Sequence, residues 1–172
     1  MAKGDDDNNG SSSSKQISVL FCCLGNICRS PLAEAVFAYE VEKQGLKAHF
    51  GKIDSCGTGA YHQGDPPDDR TVAVCRQNGV PIHGTARKVK LSDFANFDYI
   101  FGMDASNVRN LMAMQPRNSR ASVHLFGDFD DKKPIVDPYY GGDHGFQAAF
   151  KQCDRYARAF LASLNLEKSS QL

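Results

Sequence analysis

Nine consecutive residues hold the densest chemistry in this sequence: Cys23-Leu24-Gly25-Asn26-Ile27-Cys28-Arg29-Ser30-Pro31. Cysteine attacks as its thiolate, so its surroundings decide its reactivity. Arg29 follows Cys23 with five residues between them. It brings a planar, permanently charged fork that matches two oxygens of an oxyanion such as phosphate. Among the cysteines of this chain a chance Cys-x5-Arg is expected about 0.3 times. Requiring Gly25, Asn26 and Ser30 as well lowers the figure to on the order of one in ten thousand. Together these residues could hold a phosphate-like anion against a sulfur nucleophile.

The neighbouring residues say how the segment is positioned. Ile17 to Cys22 is short, apolar and rich in strand formers, as a buried parallel strand is. Beyond the segment, Leu32, Ala35, Val36 and Tyr39 recur at helical spacing up to Gln44, with Pro31 read as the first helical position and Gly45 as the stop. A strand's end against a helix's start is the usual ligand crevice of open α/β sheets. The free amides and the dipole at the helix start favour an anion there, a thiolate included.

The rest of the chain continues the alternation. Strands are expected at 50–55, 97–101 and 123–126, and helices at 69–78 (with Asp68 as N-cap), 105–114 and about 146–164. The expected fold is therefore α/β: a single domain with a four-stranded parallel sheet, helices on both faces, and a phosphate loop between strand 1 and helix 1. Residues 1–16, polar and low in complexity, read as a disordered tail. The domain is placed at 17–166, with 167–172 as a short C-terminal tail.

Composition excludes several function classes. Of 172 residues, twenty are basic and twenty acidic, so no whole-chain field favours nucleic acid or an anionic membrane. No apolar run approaches the roughly 20 residues that span a bilayer. The N-terminus has no signal-peptide pattern, which predicts a cytoplasmic protein with reduced thiols at Cys22, Cys23, Cys28, Cys56, Cys75 and Cys153. Neither cysteines nor histidines show metal-ligand spacing, so neither metal nor cofactor is expected.

The loop CLGNICRSP resembles the signature of the low-molecular-weight protein tyrosine phosphatases. Further matches follow in order: Asp54-Ser55, Tyr61 with Pro66-Pro67-Asp68, Phe97-Asp98-Tyr99-Ile100, Met103-Asp104 and Asp137-Pro138-Tyr139-Tyr140. The resemblance implies that Cys23 attacks phosphorus and forms a cysteinyl-phosphate. Arg29 and the loop residues Leu24, Gly25, Asn26, Ile27 and Cys28 would hold the phosphoryl oxygens, and the Ser30 hydroxyl would stabilise the sulfur as leaving group. Asn26 is expected in an unusual backbone conformation at the loop's crown. Asp137 would be the general acid and then the base; by sequence alone Asp128, Asp130, Asp131 and Asp143 are equally eligible.

Tyr61, Tyr139 and Tyr140 resemble the aromatic rim for a phosphotyrosine ring, and Ser55 the loop-supporting serine. Cys28 resembles the family's second loop cysteine, able to pair with Cys23 under oxidation. Cys22 reads as a core thiol, pointed away from Cys23 by strand alternation. In much of the family a histidine ahead of an x-Ala-Arg segment meets the loop asparagine. Here, in His83-Gly84-Thr85-Ala86-Arg87, it lies one residue further upstream, leaving His83, Thr85 or water for that place. The implied partners are tyrosine-phosphorylated proteins or peptides, with acid-phosphatase activity on small aryl phosphates; oligomeric state is left open.

Two rivals share the fold. Arsenate reductase needs a further closely spaced cysteine pair, which Cys56, Cys75 and Cys153 do not form. Protein arginine phosphatases carry Thr at the Ile27 position, and the larger apolar side chain here favours an aryl ester.

Overall fold

The computed structural model describes residues 15–138 and 142–169, the side chain of residue 143 excepted. Four strands form one parallel sheet in the order β2-β1-β3-β4: β1 Ile17–Cys23, β2 Phe50–Gly57, β3 Tyr99–Gly102 and β4 Ser122–Leu125. Five α-helices connect and cover them: α1 Arg29–Lys43, α2 Asp69–Gln77, α3 Asp93–Asn96, α4 Ala105–Met114 and α5 Gly142–Ser163. Single 3-10 turns sit at Lys47–His49 and Phe126–Phe129.

Side chains alternate across β1, and the two faces feed two cores. Val19, Phe21 and Cys23 face the larger core with residues of α1, α2 and α5. Leu20 and Cys22 face the smaller one, with Phe94 of α3 and Leu111 of α4. Both layers expected from the alternating pattern are thus present. The larger core is aromatic: the Phe21 ring lies 5.4 Å from Phe37 and 5.0 Å from Phe126, and Phe101 stands edge-on to Phe160 at 4.9 Å. Each such pair contributes about 0.5–1.5 kcal/mol beyond its buried area. On α5, Phe146, Ala149, Cys153, Tyr156, Ala157 and Phe160 are all buried, the stripe that a helix packed along one face requires.

Strand ends shift by one or two residues, and three helices depart from expectation in ways that have a local cause. α1 starts at Arg29, so Pro31 is its third residue rather than its first; the amides of a helix's opening turn have no partner within the helix, so Pro fits there too. α5 starts at Gly142, before Phe146, because glycines at 142 and 145 weaken the helical signal of its first turn. The one-turn α3 is too short to show periodicity. Residues 1–14, most of the expected tail, lie outside the described residues. Among the described residues no helix is long and apolar enough to cross a membrane.

β1 joins β2 on one side, after which the chain crosses to β3 on the other. Loops leaving β1 and β3 therefore diverge at their carboxyl ends and open a crevice. The Cys23–Arg29 loop lies at that point.

Candidate active site

β1 ends on Cys23 and α1 begins on Arg29, leaving residues 24–28 as the loop. Its carbonyls are turned away by outside donors: Cys23 O accepts from Thr58 N–H at 2.9 Å, Leu24 O from Gly59 N–H at 3.0 Å, and Ile27 O from Asp68 N–H at 2.8 Å. Gly57 lets the chain come this close, since a Cβ there would stand 2.7 Å from Leu24 O. Asn26 sits at φ 57°, in the left-handed region that Asn tolerates better than most residues. Its N–H points at the Cys23 sulfur, 3.3 Å away.

The Asn26 side chain is clamped at both ends. Nδ2 donates to Ser30 Oγ at 2.9 Å and to Ser55 Oγ at 3.0 Å, while Oδ1 accepts from the Arg87 N–H at 3.0 Å. Ser30 Oγ lies 3.0 Å from Cys23 Sγ and 3.2 Å from Cys56 O. Ser30 Oγ accepts from Asn26, and its one proton can go to the carbonyl or to the sulfur. A thiol leaves it on the carbonyl; a thiolate draws it over.

Arg29 is buried, and its fork is held from more than one side. Nη1 donates to Asp104 Oδ2 at 2.8 Å and Ile135 O at 2.9 Å, and Nη2 lies 3.7 Å from Asp137 Oδ2. Asp104 also caps α4: its Oδ1 accepts from Asn107 N–H at 2.8 Å, and the Asp104 N–H donates to Asn107 Oδ1 at 3.1 Å. Burial pushes the Asp104 carboxyl up, but the bonds from Asn107 and Arg29 outweigh it and hold the group below the usual carboxylate range.

A cavity of about 250 Å³ opens above the sulfur. Cys23, Cys28 and Arg29 are its buried members; Leu24, Ile27, Tyr61 and His62 line it, with Asp137 at its side. A deep sulfur, an arginine fork and a neighbouring carboxyl suit an oxyanion whose remaining group is flat and apolar.

Comparison with known proteins agrees. Residues 18–170 match the family model of the low molecular weight phosphotyrosine protein phosphatases. The chain belongs to that family. A low molecular weight phosphotyrosine protein phosphatase of Schizosaccharomyces pombe is 54% identical over 87% of this chain and 98% of its own length. The crystal structure of an Entamoeba histolytica protein tyrosine phosphatase with Hepes in the active site superposes with a TM-score of 0.82 at 36% identity, covering 87% of this chain and 97% of that one. A drosophila arginine phosphatase also superposes at 0.82, with 33% identity over 88% of this chain and all of that one.

Within this family fold, the residues proposed from sequence separate into groups. Cys23, Leu24, Gly25, Ile27, Cys28, Arg29, Tyr61 and Asp137 line one cavity. Asn26, Ser30 and Ser55 stand behind the loop as its hydrogen-bonded support. Tyr139 and Tyr140 lie outside the described residues. Cys28 is buried, and burial, followed by the charge of Asp68, pushes its thiol up to about 12. Cys22 faces the smaller core with Cys56, away from Cys23. The contact to Asn26 Oδ1 comes from the main chain of Arg87.

Sequence reading missed three members of the site. Asp104, quoted only as a family match, orients Arg29; a carboxylate capping the helix after β3 at the sheet's carboxyl edge was the available signal. Arg87 N–H holds Asn26, a backbone contact that no residue type announces. His62 lines the cavity beside Tyr61, with its Nδ1 3.3 Å from Asp65.

Proposed function

We propose that this chain is a protein tyrosine phosphatase that works through a cysteinyl-phosphate. The observation that carries the reading is the placement of the Cys23 sulfur, 3.0 Å from Ser30 Oγ, in the cavity that Arg29 and Asp137 also line. Cys23 attacks phosphorus in line, and the bond to the phenolic oxygen breaks as Asp137 protonates it. Loop amides and Arg29 hold the equatorial oxygens, where charge spreads in the transition state. In the second displacement Asp137 removes a proton from water, water attacks phosphorus, and the sulfur leaves as thiolate, stabilised by the Ser30 proton.

Substrates in this reading are tyrosine-phosphorylated proteins, with small aryl phosphates hydrolysed as well, and the protein acts in the cytoplasm. Tyr61, 76% exposed, is free to lie along the substrate ring. Peroxide converts Cys23 to a sulfenic acid with release of hydroxide; the Cys28 sulfur then displaces water and forms a disulfide that a thiol reductant reverses. Arsenate reduction is disfavoured because Cys56, Cys75 and Cys153 are each fully buried and offer no outward relay. Ile27 in the cavity wall favours an aryl ester over phosphoarginine.

Trapping the phosphoenzyme on a phosphotyrosine peptide and mapping it by mass spectrometry tests the chemistry. Phosphate on Cys23 is expected; phosphate elsewhere, or none, overturns it. Initial rates on matched phosphotyrosine and phosphoarginine peptides test the substrate, and a higher kcat/KM for phosphoarginine would reverse that part.

A further inference from the structure

Residues 132–137, which deliver Asp137 to the cavity, form no helix or strand, so side chains must hold them in place. The helix α5 supplies that support. The one proton of the Tyr156 hydroxyl goes to Asp131 Oδ1, 2.6 Å away, since Lys133 O is farther at 3.3 Å. The same Asp131 oxygen accepts the Lys133 N–H at 3.0 Å. A turn earlier on α5, Gln152 Nε2 donates to Pro134 O at 3.2 Å. The packing behind these contacts is tight: a Cβ on Gly127 would stand 2.5 Å from Lys133 O and 3.1 Å from the Tyr156 ring. Tyr156 itself is buried, its ring edge-on to Phe126 at 5.8 Å.

Closer to Asp137, the chain is pinned at Ile135, whose N–H donates to Met103 O and whose carbonyl accepts from Arg29. A single pinned residue is a pivot and leaves open the direction in which the chain continues. Pro134 stiffens the link to the contacts upstream, and those contacts stop rotation about the pivot. Val136 is 74% exposed and packs too little to replace them. Beyond Asp137, Pro138 lies against Gly145 of α5, where a Cβ would stand 3.4 Å from Pro138 Cα. α5 therefore brackets Asp137 from both sides. We propose that Tyr156 is a positioning residue for the general acid: its hydroxyl, through Asp131 and Lys133, sets the direction from which Asp137 meets the leaving oxygen. The Asp131 carboxyl, held below the usual aspartate range first by this hydroxyl and then by the Lys133 N–H, accepts as an anion. Tyr156 does not line the substrate cavity and acts only through the segment it holds.

The proposal rests on the phosphatase reading, in which Asp137 protonates the leaving phenolate. Its test is a leaving-group series of aryl phosphates on the full chain, comparing wild type with Tyr156→Phe and Asp131→Ala. Phe keeps the ring packing and removes only the hydroxyl. Asp131 lies outside both cores, so its truncation breaks the same contact should the Phe variant fold poorly. Each variant is expected to lose about fivefold in kcat/KM for the poorest leaving group and less than about twofold for the best. In an Asp137→Ala background, Tyr156→Phe should add no further leaving-group dependence, because the residue it positions is gone. No loss, or a loss uniform across the series, overturns the proposal; slack that reached only Arg29 through Ile135 would slow every ester alike. A series that Asp137→Ala itself does not steepen overturns the general-acid assignment and the proposal with it, a result read from that variant alone.

Discussion

Replacing Asp104 by Asn tests how the guanidinium of Arg29 is aimed. Asn retains an oxygen for the Asn107 N–H, so the cap of α4 survives; what disappears is the negative charge 2.8 Å from Nη1. A hydrogen bond to a charged group contributes about 1.5–3 kcal/mol. Asp104 is 30% exposed, and the Asp137 carboxyl lies 3.7 Å from Nη2, so the lower end applies. For a domain of this size a loss of about 1.5 kcal/mol lowers Tm by about 3–6 °C. If the same interaction aims Arg29 in the transition state, kcat/KM falls by about tenfold. Asp104→Ala also removes the cap, for about 1 kcal/mol more of stability, and no further catalysis is lost. Thermal melts beside kcat/KM on an aryl phosphate read both quantities. Wild-type kcat/KM in the Asn variant would refute the argument. So would an Ala variant whose extra catalytic loss follows its extra instability.

Three further outcomes are expected. Asp137→Ala should slow aryl phosphates with poor leaving groups far more than those with good ones, and a uniform slowing across a leaving-group series would move the acid elsewhere. Asn26→Ala should cost more stability than Asn26→Gly, since Gly accepts φ 57° while both lose the side-chain clamp; a Gly variant with wild-type denaturation and vanadate affinity would show that the clamp is idle. Stability against pH should peak on the acid side of neutrality. The Glu34 carboxyl, raised from 4.5 to about 8, and the Glu40 carboxyl, raised by burial and by Asp154, bind protons more tightly when folded, so their contribution is lost as pH rises through their folded values. Asp68 and Asp104, both held low, contribute in the opposite sense, and that stability is lost on acidification below the ordinary aspartate range. Melting curves that climb steadily from about pH 5 to about pH 8 would contradict this balance.

What could be read from the sequence follows from the range of each interaction. The Ile17–Cys22 run and the helical spacing after it depend on neighbours within a few residues, and that local pattern located both the strand–loop–helix unit and its chemistry. Strand alternation sufficed to send Cys22 to the opposite face from Cys23. Asp104 and Arg87 escaped because they reach the loop across 75 and 61 residues of chain, one through a cap shared with Arg29 and one through its main chain. Asp137 was one of several eligible aspartates; its place beside Arg29 is a tertiary fact.

The strand order explains why these distant groups meet. β1 lies between β2 and β3, so the loop at its end has supports on either hand. From the β2 side, Ser55 Oγ and Cys56 O hold Asn26 and Ser30. From the β3 side, Asp104 holds Arg29, and Met103 O accepts the N–H of Ile135, whose own carbonyl holds Arg29 as well. The two sides thus govern different parts of the chemistry: β2 shapes the crown of the loop and the proton at the sulfur, and β3 aims the cation. Damage on the β2 side should therefore appear first in the second displacement, where the sulfur must leave. Damage on the β3 side should slow both displacements alike, because the phosphoryl oxygens need the guanidinium in each. Burst kinetics on Ser55→Ala and Asp104→Asn distinguish the two: an enlarged burst with slow turnover is expected for the first and a uniformly slowed course for the second, and the same kinetic pattern in both would show that the loop moves as one body.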